Sequence, residues 1–89
     1  MTVYLIGFER RGERAYDRLQ EEIDRAGGIH VIDNLWAIES DSGAGEIRDW
    51  VHSLMDDKDA IFVLSVNNSR HWASRHLKAS VNDWLKANF

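Results

Sequence analysis

The stretch Val3-Tyr4-Leu5-Ile6-Gly7-Phe8-Glu9-Arg10-Arg11-Gly12 decides how this chain folds. Its first six residues carry no charge, and then a carboxylate and two arginines arrive where a strand of ordinary length ends. A strand apolar on both faces lies in a sheet covered on both sides, or in a sheet that meets a partner. A second run of this kind, Ala60-Ile61-Phe62-Val63-Leu64-Ser65-Val66, stands late in the sequence. The C-terminal end of the first strand, with Glu9, Arg10 and Arg11, is the natural place for a site.

Eighty-nine residues make one domain, residues 1–89, small enough to bury only about two-thirds of the surface its unfolded chain exposes. Four Trp, three Phe and two Tyr are a large apolar load for so small a core, and a second subunit would relieve it. Without cysteine, neither a disulfide framework nor a thiolate metal site is available. Charge interrupts the N-terminal apolar run at Glu9, so no signal-type segment forms, and no run approaches the roughly 20 apolar residues of a membrane span. The expectation is a soluble cytoplasmic protein with no membrane partner.

The net charge of −4 argues against sequence-blind binding of nucleic acid by the whole surface. The cations are nevertheless clustered: Arg10, Arg11 and Arg14 follow the first strand, and Arg70, His71, Arg75, His76 and Lys78 gather near the C-terminus. Local basic patches on an acidic protein still hold phosphates, although solvated loops and helix faces are the commoner explanation.

Between the two apolar runs the periodicity is clear. A helix begins near Glu13, with Tyr16, Leu19, Ile23 and Ala26 on one stripe, and Gly27-Gly28 stops it. Ile29 to Ser40 reads as a hairpin of two strands turning at Asp33-Asn34. Asp41 or Ser42 caps a second helix with an apolar face of Ile47, Trp50, Val51, Leu54 and Met55. Asp56-Asp57-Lys58-Asp59 is a solvated polar turn that lacks the spacing and glycine of a calcium loop. Past residue 69 the periodicity fades until Ser80-Val81-Asn82-Asp83, which has the form of a capping box opening a last helix.

Strand, helix, strand, strand, helix, strand and a tail make an α+β chain. Two split βαβ units with right-handed crossovers give a ferredoxin-like βαββαβ antiparallel sheet, two helices on one face and a C-terminal helical tail. The helices cover one side only, yet the first and fourth strands are apolar on both. The open face therefore calls for the tail and for a second copy, giving a homodimer through that face, with Trp36 and Trp72 as candidate interface residues.

At that point the chain resembles a family. Val3 to Phe8 ending in a carboxylate, the Leu35-Trp36-Ala37-Ile38 strand, Glu46-Ile47-Arg48-Asp49 and the terminal Trp84-Leu85-Lys86-Ala87-Asn88-Phe89 resemble SinR-like small bacterial proteins. These are in turn similar to the ferredoxin-like nuclease subunit of CRISPR adaptation and to the VapD toxin family. In the CRISPR branch the first strand ends in Tyr-Asp, and the resemblance implies one such carboxylate per subunit holding Mg²⁺ between the two. Phe8 and Glu9 stand at those positions here, so the carboxylate is one methylene longer and the hydroxyl is missing. The resemblance also implies a scaffold role, bridging partner subunits.

Two functions follow. The first is a dimeric binding or scaffolding module for nucleic acid (RNA or DNA) or a protein partner. Arg10, Arg11, Arg14, Arg70 and Arg75 would contact phosphates in it, and Trp72 would stack on a base or anchor the interface. It needs no cofactor. The alternative is an Mg²⁺-dependent endonuclease with Glu9 of each subunit as metal ligand and catalytic residue, and with Arg10 and Arg11 steadying the charged phosphate. The histidines add little: His71 and His76 are five apart, on different helical faces, and His30 and His52 belong to separate elements.

Overall fold

A computed structural model describes residues 1–12, 16–66 and 71–89. Its elements are β1 (Thr2–Glu9), α1 (Asp17–Arg25), β2 (Ile29–Ile32), β3 (Leu35–Ser40), α2 (Ala44–Ser53), β4 (Ala60–Val66) and α3 (Ala79–Asn88). The strands form one antiparallel sheet in the order β2-β3-β1-β4. The fold is thus α+β, with a four-stranded sheet and three helices.

Alternation along β1 sets the two faces. Tyr4, Ile6 and Phe8 turn toward α1 and α2 and pack with Leu19, Ile23, Ile47 and Val51. The register carries that face outward: Ile6 lies opposite Trp36 on one side and Val63 on the other, and Tyr4 lies opposite Ile38. Val3, Leu5 and Gly7 point to the other face, with Leu35 and Ala37 of β3 and Phe62, Leu64 and Val66 of β4.

Trp36 departs from the expectation for it. Its parity puts it among the helices, 2% exposed and stacked 3.9 Å from the His30 ring, so it is a core residue and not an interface anchor. Two helix starts also differ. α2 has Gly43 as its N-cap in place of Asp41 or Ser42, and the Gly43 N–H donates to Glu46 Oε1 at 3.4 Å. α3 begins one residue before Ser80, with Lys78 in the cap position and no side-chain cap bond, so the capping-box pattern lies inside the helix. The expected start of α1 near Glu13 lies outside the described residues.

The end of α1 follows its sequence closely. Gly27 takes a left-handed φ of +81°, its N–H donates to the Asp24 carbonyl at 3.1 Å, and the Gly28 N–H reaches back to the Ile23 carbonyl at 2.9 Å. This pair of bonds closes a Schellman motif and turns the chain into β2.

The tail crosses the face that α1 and α2 leave bare. Leu85 of α3 and Phe89 just after it meet Leu5 of β1 and Leu35 of β3 around one cavity, and the Trp84 indole N–H donates to the Gly27 carbonyl at 3.1 Å. The cover stops short of β4, where Phe62 is 66% and Leu64 49% exposed.

Candidate functional site

β1 delivers Glu9, Arg10 and Arg11 to one end of the sheet. The Asp33–Asn34 turn lies at the same end, since Gly7 is opposite Leu35 and the Phe8 N–H donates to the Asn34 carbonyl at 3.1 Å. Glu9 shares the face of Leu5 and Gly7 and borders a shallow hollow with Ala60 and Phe62. Its carboxylate accepts from Arg11 Nε at 3.0 Å, an exposed pair of the kind that contributes about 0–1 kcal/mol. Arg10 turns the other way, its guanidinium carbon 5.2 Å from the centre of the Tyr16 ring, within reach of a cation–π contact.

The organising group of this end is Asp59, placed by the sequence in a solvated turn and found 8% exposed. One carboxylate oxygen accepts the backbone N–H groups of Arg11 at 2.7 Å and Gly12 at 2.9 Å. The other accepts the Asp56 N–H at 3.1 Å and the Tyr16 hydroxyl at 3.2 Å. Burial alone would raise the Asp59 carboxyl, but the bonds from Gly12, Arg11, Asp56 and Tyr16 outweigh it and hold it below the usual carboxylate range. Burial of Tyr16, reinforced by the Asp59 charge, pushes its phenol up to about 12. Tyr16 also packs edge-on against Phe8, with ring centres 4.7 Å apart. Asp59 thereby ties the chain leaving β1 to the chain entering β4.

Neither Tyr16 nor Asp59 was singled out from sequence. The one available signal was the Asp56-x-x-Asp59 spacing, in which a side chain can bond back to a nearby backbone N–H.

The four hydrogen bonds occupy about all the acceptor positions a carboxylate has. Asp59 therefore has no lone pair to lend to a metal beside Glu9. Among the described residues no group of three or more His, Asp or Glu converges. Among the described residues the other carboxylates at this end do not converge into a site for Mg²⁺: Glu9 already faces Arg11, and Asp56, beside Gly12, accepts the Lys58 N–H at 3.0 Å.

The remaining basic candidates divide. Arg75 is exposed and lies in the segment that runs under α3, while His76 and Lys78 border a hollow with Asp33, at the end of the sheet that carries Arg10 and Arg11. Trp72 packs edge-on to Phe89 at 5.8 Å, half-buried on the wall of the tail cavity. Arg14 and Arg70 lie outside the described residues. His52 Nε2 donates to Asp57 Oδ1 at 3.0 Å, remote in sequence from Glu9.

No family model matches the chain, and no solved structure matches it. Among curated proteins it is similar to a tRNA dimethylallyltransferase of Fusobacterium nucleatum subsp. nucleatum, 29% identical over 92% of this chain. The chain spans 28% of the length of that relative. No described helix is long and apolar enough to cross a membrane.

Proposed function

We propose that this chain is a non-catalytic binding module of ferredoxin-like type, related to the SinR-like proteins and working in the cytoplasm. It pairs with a second copy through the uncovered part of its open sheet face and offers its basic end to nucleic acid. The ferredoxin-like reading rests on the strand order β2-β3-β1-β4, in which β3 separates β1 from β2 and β1 separates β3 from β4. The observation that carries the pairing is the exposure of Phe62 and Leu64 on β4, a strand with no charged residue along its length. Each of these side chains contributes about 1.5–3 kcal/mol when withdrawn from water, and a two-fold interface withdraws each of them twice.

RNA is the preferred partner. Arg10, Arg11, His76 and Lys78 share one end of the sheet, and the relative found by comparison is named for an enzyme acting on tRNA. A second reading has one specific observation in its favour. Glu9 stands beside Phe62 on the face proposed to pair, so a two-fold axis there would bring two Glu9 carboxylates toward one another.

Incubation of the protein with labelled RNA, in Mg²⁺ and in EDTA, separates the readings. The module predicts a shift without cutting, steeply weakened by salt and by Arg10→Ala with Arg11→Ala. Cutting that is lost in EDTA and in Glu9→Ala would replace it with the nuclease. A protein that neither shifts nor cuts RNA would leave DNA or a protein partner for the module.

A further inference from the structure

The cavity between the tail and the sheet has a volume of about 390 Å³. That lies near the small end of the roughly 300–1,000 Å³ spanned by small-molecule sites, and it is the apolar kind of wall with few polar groups that such sites use. Leu5 and Leu35 form its floor, and Leu77, Leu85 and Phe89 close it from the tail.

Among the described residues Arg75 is the one charged side chain on its lining. No ion pair or hydrogen bond engages that guanidinium among the described residues, and no carboxylate side chain shares the wall with it. The segment bends at Arg75 and His76, where His76 holds a left-handed φ of +64°. A non-glycine residue keeps that conformation where its surroundings fix it. The Ser74 hydroxyl bonded to Asn82 Oδ1 at 2.7 Å and the Trp72–Phe89 contact hold the segment to α3 on the near side. An apolar hollow with an unpaired guanidinium at its edge is complementary to a molecule apolar along its length and anionic at one end.

We infer that this cavity binds a single-chain amphipathic carboxylate, the hydrocarbon chain lying between Leu5, Leu35 and Leu85 and the carboxylate meeting Arg75. Its volume suits one chain and not the two chains of a bilayer lipid, so the ligand is a free medium-chain acid. Arginine presents two parallel N–H donors to a carboxylate, which fixes the head group. This site adjoins the Phe62 and Leu64 strip, since its Leu5 is the cross-strand partner of Leu64, but neither Phe62 nor Leu64 lines it.

The test is a calorimetric titration of the full chain with sodium decanoate, kept below its micelle concentration, beside decan-1-ol as the uncharged chain of equal length. Intrinsic tryptophan fluorescence, to which Trp72 on the cavity wall contributes, is the second readout. The expected result is saturable one-to-one binding of decanoate, weakened about two- to fivefold in Arg75→Gln, the range of one partly exposed charge pair. Decan-1-ol binds wild type and Arg75→Gln alike, and Leu77→Trp, which fills the hollow, reduces binding of both ligands. Absence of saturable decanoate binding to wild type would overturn the proposal. So would equal decanoate affinity in wild type and Arg75→Gln.

Discussion

Asp59 shows how much one side chain can determine at the scale of a residue. Its carboxylate satisfies three backbone N–H groups and a phenol that would otherwise lie unpaired at the junction of β1, α1 and β4. Asp59→Ala removes all four acceptor contacts and is expected to cost about 2–3 kcal/mol, read by urea denaturation. The pH dependence follows from the direction of its shift. A carboxyl held below its unfolded value of about 3.9 contributes stability that is complete above that pH and lost as pH falls through the folded value. Asp59→Asn should therefore flatten the acid limb of a stability profile relative to wild type. Tyr16 acts at the opposite end. Its phenol, raised to about 12 from about 10, contributes stability present below pH 10 and lost between 10 and 12. Tyr16→Phe should abolish that part of the alkaline loss. Beyond the local bond that the Asp56-x-x-Asp59 spacing permits, none of this could be read from Asp56-Asp57-Lys58-Asp59, because four polar residues in a row look the same whether the last one faces water or amides distant in sequence. The identity of Asp59 was plain in the sequence; its partners Arg11, Gly12 and Tyr16, 43 to 48 positions away, were not.

At the scale of elements, patterns with a local cause were legible. The double glycine that closes α1 was readable because a left-handed residue is needed where the helix ends, and Gly27 supplies it. Gly28 has a second duty that no local pattern discloses. A Cβ there would stand 2.6 Å from the Ala37 carbonyl oxygen and 2.7 Å from Ile23 Cγ2. Gly28→Ala should therefore destabilise the protein by about 1–3 kcal/mol through overpacking between α1 and β3, measured as a lowered denaturation midpoint. The cap positions were less legible. Asp41, Ser42 and Ser80 all have the right chemistry for an N-cap, but the chain enters α2 at Gly43 and α3 at Lys78. At α2 the Glu46 carboxylate accepts the Gly43 N–H, the half of a capping box that the third helical residue supplies, while no side chain caps the helix from Gly43. Trp36 illustrates the rule of alternation. Hydrophobicity marked it as important, and only the register with Ile6 determined which face it serves.

The whole molecule has two sides of unequal finish. Toward α1 and α2 the core is closed around Ile6, Leu19, Ile23, Val51 and Met55. On the other face α3 reaches β1, β2 and β3 through Leu85, Phe89 and Trp84 and leaves Phe62 and Leu64 in water. The sequence disclosed the excess of apolar surface, because β1 and β4 each carry two apolar faces. How the tail divides that face was not legible, since residues 70–78 have no periodicity and their path depends on contacts distant in sequence. A long, uncharged and exposed edge such as β4 is one that soluble proteins usually blunt with a charge, a proline or a bulge. That exposed apolar surface is the physical basis for the proposed pairing.

The most direct test is sedimentation equilibrium of the wild type beside Phe62→Glu with Leu64→Glu, with circular dichroism to establish that both remain folded. The account predicts a wild-type dimer and a folded monomeric double variant, with the dissociation constant raised at least about 100-fold, the equivalent of some 2.7 kcal/mol. A wild type that stays monomeric as concentration rises, or a double variant as dimeric as its parent, would contradict it.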